Sequence, residues 1–324
     1  MLPTGPQVKA SLNDYSWKEI AEISKLISKK RDSDGALEVP KSTTCARATE
    51  NSSALKKLDG TQTMSITLSN GEKVKVMIAG FNHDDKSDGS GKAGITFVFT
   101  DSVGKQFMYS ESDLQILRND VASGKTYDIG WKNTSMRKWL GDSYMFELLS
   151  DLSKEIVSVD KKSAYARLKQ GKYWAGGDRT VPGIFTDQAE VVSETTSGNL
   201  WIPSFAEIAR QEELSSRENY ALEGEQYQVY SDTGVNEDKA NSIFGGGSSA
   251  SDYSSSYDGN SGWWLRSYTT YAEDDLEEYV PTFNATGDDV EGGTGTLGYR
   301  NDFQPYAHSE ESEPFVGVVP AFCI

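Results

Sequence analysis

Apolar residues near the start of the chain recur at intervals of three or four: Trp17, Ile20, Ile23 and Ile27. This spacing predicts an amphipathic helix, because side chains three or four positions apart lie on one helical face. Ser16 followed by Glu19 has the form of a capping box, which predicts that the helix begins at Trp17. Its apolar face must be buried against the rest of the chain or against a partner. Residues 30–60 are polar and lack a period, which predicts a linker or a long loop.

Apolar and polar residues then alternate, which predicts three β-strands. The apolar positions are Met64, Ile66 and Leu68 in the first strand, Val74, Val76 and Ile78 in the second, and Ile95, Phe97 and Phe99 in the third. Asn70 and Gly71 lie between the first two strands. An Asn-Gly pair in this position predicts a tight hairpin, because both turn residues must tolerate positive φ.

Helical patterns return in two short segments, residues 135–140 and 144–149, and Gly141 between them is the predicted stop. Farther along the chain, Ser204 and Glu207 form a second capping box. This pair predicts another short helix.

The last part of the chain alternates polar segments with apolar ones. Residues 231–260 are rich in Gly, Ser, Asp and Tyr, and residues 269–313 are polar and acidic; the apolar segments are residues 263–267 (WWLRS) and 315–324. We therefore expect two buried strands joined by long exposed loops. Arg266 lies in so apolar a segment that we expect it to pair with a carboxylate, since an unpaired buried charge is too costly.

The charge of the chain limits its partners. Lys and Arg number 32 against 49 Asp and Glu, a formal net charge of −17, whereas basic surfaces hold nucleic acids and anionic lipids. We therefore expect no nucleic-acid partner. No secretory signal is expected, because the first residues contain no basic segment followed by an apolar run. No membrane insertion is expected either, since no apolar run approaches the length of about 18 residues that crosses a bilayer. Cys45 and Cys323 are expected to be reduced thiols, with a disulfide between them as the alternative.

No set of residues in the sequence indicates catalysis. His83 and His308 have no Ser or Cys motif near them, and the paired acids are adjacent in sequence rather than placed across a cleft. We therefore expect a protein that is not an enzyme and needs no cofactor, with calcium as the one ion that its sequence could accommodate.

The calcium hypothesis rests on one short loop with hard oxygen donors: Asn82, Asp84, Asp85 and Asp88. Their spacing is not that of an EF-hand. Asn, Asp, Ser and Gly also form turns through side-chain bonds to the backbone, so a structural turn is the alternative.

Tyrosine-rich segments form a candidate ligand-binding surface. Residues 252–260 combine Tyr with Ser, Gly and Asn, as antibody binding loops do, because Tyr offers contact area at low entropic cost. The candidate ligand-binding residues are Tyr253, Tyr257, Asp258, Asn260, Tyr268, Tyr271 and Tyr299. The alternative is a surface whose aromatic side chains fold back onto the body of the protein.

Two of the apolar segments also carry a family resemblance. Residues 262–267 (GWWLRS) and 317–324 (GVVPAFCI) resemble the paired motif of a large, largely uncharacterised family of bacterial and phage surface proteins with a C-type-lectin-like fold. Further matching segments are residues 15–20, 78–85, 94–97, 135–140 and 200–204.

The resemblance implies an α+β fold: a C-type-lectin-like mixed sheet with flanking helices and long C-terminal loops. In this fold the WWLRS strand and the final strand pair in the core, and the segments between them form exposed loops. The expected domain organisation is an N-terminal helix and linker over residues 1–60 and a C-type-lectin-like domain over residues 61–324.

Proteins with this fold include sugar binders, receptor-binding tips of phages and the enzyme that makes formylglycine. The enzyme needs an active pair of cysteines, which Cys45 in the predicted linker and Cys323 in the terminal strand do not fit. Calcium-dependent sugar binding uses Glu-Pro-Asn or Gln-Pro-Asp followed by Trp-Asn-Asp, whereas residues 313–315 are Glu-Pro-Phe and residues 304–306 are Gln-Pro-Tyr. The resemblance therefore favours a displayed binding surface.

Three functions follow as hypotheses. The first is a non-enzymatic recognition module whose loops, residues 248–261 and 268–313, bind a cell-surface receptor or glycan, in a phage virion or on the outer surface of a bacterium. The second is a structural decoration protein whose N-terminal helix docks to other virion or surface-assembly proteins, with a homo-oligomer as a further option. The third is a carbohydrate-active enzyme with acidic loops around a cleft.

Overall fold

The structure is a computed structural model. It describes residues 9–29, 39–41, 44–46, 58–100, 102–104, 106–110, 127–148, 150–174, 180–186, 192–208, 223–234, 263–272, 279–286 and 317–324, with a few further positions between 112 and 124.

The described helices are α1 (Trp17–Lys29), α2 (Ser135–Lys138), α3 (Met145–Glu147), α4 (Ser150–Glu155), α5 (Phe205–Ile208) and α6 (Gln228–Thr233). The strands are β1 (Val39–Lys41), β2 (Thr44–Ala46), β3 (Thr63–Thr67), β4 (Lys73–Phe81), β5 (Ile95–Phe99), β6 (Tyr127–Gly130), β7 (Val159–Trp174), β8 (Thr180–Thr186), β9 (Val192–Gly198), β10 (Trp263–Ala272), β11 (Tyr279–Thr286) and β12 (Ala321–Cys323). Helices and separate sheets together make an α+β fold, as expected. None of the described helices is both long and apolar enough to span a membrane.

The first sheet has four strands in the order β12-β5-β4-β3, and each pairing is antiparallel. The hairpin and the third strand predicted from the sequence are confirmed. In the turn, Gly71 has φ of 88°, whereas Asn70 is not in a positive-φ conformation, so the expectation that both turn residues have positive φ is wrong. All five residues of β5 are buried, because this strand lies between β4 and β12 and helix α1 packs beside it. Residues on both faces of β5 are therefore buried, and neither face of the strand is exposed to solvent.

Helix α1 begins with the predicted capping box. The backbone N–H of Ser16 donates to Glu19 Oε2 at 2.8 Å, and the N–H of Glu19 donates to Ser16 Oγ at 3.3 Å. The indole of Trp17 packs edge-on against Phe97 and Phe322, with ring centroids 5.6 and 5.9 Å apart. The apolar face of α1 is therefore buried against the chain's own sheet, which accounts for the pattern that suggested docking to a partner.

The second sheet runs in the order β10-β11-β8-β7-β6, with β9 also paired to β7. Strand β7 is shared: its first half pairs with β9 and its second half with β8. Every pairing in both sheets is antiparallel among the strands that the structure describes, where the resemblance implied a mixed sheet.

Two segments predicted to be loops contain strands. Strands β10 and β11 occupy much of residues 263–286, so the prediction of a loop from residue 268 onward is wrong for residues 268–272 and 279–286. Within the predicted linker, β1 and β2 form a small hairpin in which Cys45 is paired with Pro40. In both places the backbone pairs with a neighbouring strand. The polar composition of the segment does not predict such pairing.

Gly141 does not stop a helix. Helical backbone continues from α2 through a π-helical turn, Trp139–Tyr144, into α3. This stretch buries Met136, Leu140 and Tyr144, which are four positions apart. Continuing the helix keeps these side chains on one face, so packing overrides the preference of glycine for a helix end.

The two apolar segments near the C-terminus are buried, as expected. The backbone N–H of Trp264 donates to the carbonyl of Gly317 at 2.9 Å. Beyond this bond the two strands separate into different sheets, since β10 pairs with β11 and β12 pairs with β5. The expectation that the WWLRS strand and the final strand pair in the core is thus corrected: the two strands belong to different sheets, and the hydrogen bond from Trp264 to Gly317 joins their segments.

Candidate functional site

Five ionisable side chains from distant parts of the sequence meet inside the protein: Asp84, Lys161, Glu207, Glu223 and Arg266. We refer to them as the buried charge cluster. Each is at most 4% exposed. They come from the turn after β4, strand β7, helix α5, the segment before α6 and strand β10. Burial of so many charges requires that each has a close partner.

Lys161 lies at the centre of the buried charge cluster. Its Nζ lies 2.5 Å from Asp84 Oδ1 and also contacts the Glu207 carboxylate. The ring centroids of Trp201 and Tyr227 lie 4.7 and 5.5 Å from the same nitrogen. The ammonium is therefore held between two carboxylates and two aromatic faces, which replace the water it has lost.

Arg266 has the carboxylate partner that its apolar surroundings predicted. Nη1 donates to Glu207 Oε2 at 2.5 Å and to the carbonyl of Ile202 at 3.0 Å. Nη2 donates to the carbonyls of Lys162 and Glu223 at 3.3 and 3.2 Å. The guanidinium thus joins β7, β10, α5 and the segment before α6 by hydrogen bonds from one group.

Glu207 carries out two tasks with one side chain. It closes the predicted capping box, because the N–H of Ser204 donates to Oε2 at 3.0 Å and the N–H of Glu207 donates to Ser204 Oγ at 3.2 Å. It also pairs with Arg266 and Lys161. Burial alone would raise the pKa of Glu207, but these two cations lower it below its usual value.

Asp84 is likewise held as a carboxylate. Burial would raise its pKa, whereas the charge of Lys161 and the hydrogen bond with His83 hold it well below the usual value. Its other oxygen, Oδ2, accepts from Thr96 Oγ1 at 2.7 Å and from Cys323 Sγ at 3.4 Å. Cys323 is a buried free cysteine, as expected, and burial raises the pKa of its thiol well above the usual value.

His83 links the buried charge cluster to the surface. Its side chain is 16% exposed, and its ring packs against that of Tyr227 at a tilt of 54°, with centroids 4.5 Å apart. Nδ1 lies 3.1 Å from Asp84 Oδ1, and Nε2 lies 3.0 Å from the carbonyl oxygen of Glu225. A carboxylate and a carbonyl only accept hydrogen bonds, so both ring nitrogens donate when both bonds are formed.

The four residues proposed for calcium do not converge. Asp84 points into the buried charge cluster and is bound by Lys161, whereas Asp85 is exposed and pairs with Lys92 at 3.3 Å. The exposed Asp88 accepts from the N–H of Ser90, and the amide of Asn82 donates to the carbonyl of Ile27. No group of three or more His, Cys, Asp or Glu residues in the described part of the chain could hold a metal ion. The loop therefore has the contacts of the structural turn, which was the alternative.

Two of the candidate ligand-binding residues lie in strand β10. Tyr268 is paired with Phe283 of β11, and Tyr271 with Val280. The other five lie outside the described residues: Tyr253, Tyr257, Asp258, Asn260 and Tyr299.

Sequence reasoning missed Lys161 and Glu223, and it assigned Glu207 only a capping role. A weak pattern existed for Lys161, because it shares a strand face with Val159 and Ser163, both of which are buried. That pattern predicts a buried lysine only when it is known which residues of β7 face the core.

A comparison with protein families gives one match. A family model described as "Domain of unknown function (DUF6273)" matches residues 111–324. The chain belongs to this family. The part matched to DUF6273 contains Lys161, Glu207, Glu223 and Arg266, whereas Asp84 precedes it. No curated protein and no solved structure matches the chain significantly.

Proposed function

We propose that this DUF6273 protein is a non-enzymatic recognition module that presents tyrosine-rich segments to a receptor or glycan on a cell surface. In this proposal it is a receptor-binding or adhesion protein of a phage virion, or a protein of the outer surface of a bacterium. A C-type-lectin-like fold is part of the proposal.

The observation that carries the proposal is the hydrogen bond from the N–H of Trp264 to the carbonyl of Gly317. It brings the two ends of residues 265–316 together on the core. On both sides of it the chain is buried, at Leu265 and at Val318. The acidic residues 273–278 and 287–316 join these anchored strands. Chain held between anchored strands of a rigid scaffold is an arrangement in which proteins present loops to a ligand.

The tyrosine-rich residues 248–261 are anchored in a similar way. Before them, helix α6 ends at Gly234, which has a left-handed φ of 68°, and Val229 and Tyr230 in that helix are buried. After them comes the buried Trp264. Both ends of the segment therefore join the core. A tyrosine side chain loses little conformational entropy when it binds, because it has only two χ angles.

The C-type-lectin-like assignment is supported by the burial of both motif segments. Trp264, Leu265, Arg266 and Ser267 are buried, and so are residues 317–324. Helix α1 packs on the strand formed by the second motif, through Trp17 and Phe322.

Binding assays test this proposal. The purified chain is applied to a glycan array and to a panel of intact bacteria, with and without calcium. We expect binding to at least one cell type or glycan. Tyr253→Ala, Tyr257→Ala and Tyr271→Ala should each weaken binding about tenfold or more, as truncation of an aromatic anchor does in other interfaces.

Lys25→Ala is the matched control, because Lys25 lies on the exposed side of α1 and pairs with Glu22 of the same helix. It should bind as the wild type does. If the three tyrosine variants bind as well as the wild type, the assignment of recognition to these segments is wrong. A glycan that is cleaved rather than retained would favour the carbohydrate-active enzyme instead.

A further inference from the structure

We propose that Lys161 and Asp84 join covalently, forming an isopeptide bond inside the buried charge cluster with Glu207 as the proton carrier. The arrangement brings an amine, a carboxyl carbon and a base together in a site closed to water. The bond would tie the turn after β4 to strand β7, across 77 positions of the sequence.

The nucleophile and its base are in contact. Lys161 Nζ lies 2.5 Å from Asp84 Oδ1, and the Glu207 carboxylate touches the same nitrogen. An ammonium group must lose a proton before it can attack a carbon, and Glu207 is placed to take it. Because the two groups are fixed side by side, the reaction has the advantage of an intramolecular step.

The two oxygens of Asp84 have different neighbours. Oδ2 receives hydrogen bonds from Thr96 Oγ1 and Cys323 Sγ, at 2.7 and 3.4 Å. These donors suit the oxygen on which negative charge develops when the carbon is attacked. Oδ1 faces Lys161 and also lies 3.1 Å from His83 Nδ1, so it is the oxygen placed to leave.

The surroundings favour the linked product. Lys161 and Asp84 are each 4% exposed, and the rings of Trp201 and Tyr227 cover the amine. Condensation replaces two buried charges with one neutral amide, which removes the desolvation cost of both. It also expels a water molecule from a buried site, and burial limits the access of the water that would reverse the reaction.

The reaction balances without an oxidant or a cofactor. The bond between Asp84 Cγ and Lys161 Nζ forms, and the bond between Cγ and Oδ1 breaks. The ammonium nitrogen gives up two of its three protons, which Glu207 accepts and passes to Oδ1. Oδ1 leaves as water, Oδ2 becomes the amide oxygen, and Glu207 ends as the carboxylate it was at the start.

The intact mass of the purified, denatured wild-type chain tests the proposal directly. We expect it to be lower than the mass of the sequence by one water molecule. Proteolysis should release one branched peptide in which the segments around Lys161 and Asp84 are joined. A wild-type chain with the full mass of its sequence overturns the proposal, whatever any variant does.

A dehydrated chain without the branched peptide also overturns it, because an Asp-Gly step such as Asp59-Gly60 or Asp88-Gly89 loses water by forming a cyclic imide. Three variants sharpen the assignment. Lys161→Arg keeps the positive charge, but its guanidinium stays protonated and does not attack, so the full mass is expected. Glu207→Gln removes the proton carrier and should also give the full mass.

Asp84→Asn supplies a positive control among the variants. Its side-chain amide can react with Lys161 and release ammonia instead of water, so its final mass should equal that of the linked wild type. A Lys161→Arg chain that still lacks one water molecule would show that the loss occurs elsewhere and would contradict the proposal.

Discussion

At the scale of single residues, Glu223 differs from the other carboxylates of the buried charge cluster. Lys161 and Arg266 are balanced by Asp84 and Glu207, which leaves Glu223 as a third acid. Its Oε1 accepts from the N–H of Ala164 at 3.1 Å, and its Oε2 contacts the hydroxyl of Ser267. Burial raises its pKa from 4.5 to about 7, because these bonds and the charge of Arg266 compensate only in part.

The raised pKa of Glu223 makes stability depend on pH. Between about pH 4.5 and 7 the folded state keeps a proton on Glu223 that the unfolded state has lost, so stability falls as pH rises. Glu223 changes the free energy of unfolding by at most about 1.4 kcal/mol per pH unit in this range. Asp84 and Glu207 have lowered pKa values, so they act below this window and with the opposite sign.

We expect Glu223→Gln to remove this slope between pH 5 and 7, because the amide cannot ionise. Urea denaturation at intervals of pH measures it. Glu22→Gln, on the exposed side of α1, is the control and should leave the slope unchanged. An identical slope in wild type and Glu223→Gln would show that Glu223 does not titrate in this range.

Arg266 allows a second prediction at this scale. Replacement by Met keeps much of the volume but removes one of the two cationic partners of Glu207 and the bonds to the carbonyls of Ile202, Lys162 and Glu223. We expect a loss of about 3–5 kcal/mol in the free energy of unfolding, as for other broken buried ion pairs.

The matched control for Arg266 is Arg137→Met. The guanidinium of Arg137 makes an exposed hydrogen bond to the carbonyl of Ser197 at 2.9 Å, so its loss should cost about 0.5 kcal/mol or less. Equal losses in the two variants, measured by urea denaturation, would mean that burial of Arg266 adds nothing to its effect.

At the scale of elements, helix α1 packs closely against the start of β5. Ser24 of α1 donates to the carbonyl of Ile324, and a Cβ added at Gly94 would collide with the backbone carbonyl of Ser24. Gly94 is therefore required by the approach of the helix rather than by a turn. A Cβ added at Gly141, in contrast, would have no atom within 4 Å outside its own helical backbone.

These two glycines make a matched pair. Gly94→Ala should lower the free energy of unfolding by about 1–3 kcal/mol, because backbone must move to make room. Gly141→Ala should be neutral or should stabilise the helical stretch by up to about 1 kcal/mol. Thermal unfolding of both variants tests this. A destabilising effect at Gly141 alone would contradict the packing described for α1.

At the scale of the whole molecule, the first sheet contains strands from both sides of residue 111, where the family match begins. Strand β12, within the matched residues 111–324, pairs with β5, which precedes them. The stack of Phe322 on Phe97, with centroids 5.3 Å apart, crosses the same boundary. The boundary of the family match is therefore not the boundary of a folding unit.

We expect a fragment of residues 111–324 not to fold by itself. Without β5 the strand Ala321–Cys323 has no antiparallel partner in the first sheet, and Lys161 loses Asp84. Amide proton dispersion in NMR spectra and resistance to protease compare the fragment with the full chain. A fragment with native-like dispersion would show that the N-terminal part is an addition to a complete domain.

The sequence by itself determined features whose contacts span only a few residues. The capping boxes at Ser16 and Ser204 and the hairpin between β3 and β4 are present as predicted, since each depends on hydrogen bonds within a few positions. Of the two residues in the hairpin turn, Gly71 has the predicted positive φ and Asn70 does not. The buried C-terminal segment was also predictable, because such an apolar run has nowhere else to go. The need of Arg266 for a carboxylate followed from the cost of an unpaired buried charge.

Only the tertiary structure decided which groups meet. The partner of Arg266 is Glu207, 59 positions away, and nothing local to either residue names the other. Asp84 was assigned to a calcium loop because its neighbours in sequence are oxygen donors, whereas its neighbours in space are Lys161 and Thr96. Gly141 continues a helix for a similar reason. Long-range packing decides such cases, because the energy of burying a side chain depends on what covers it, and the local sequence does not contain that information.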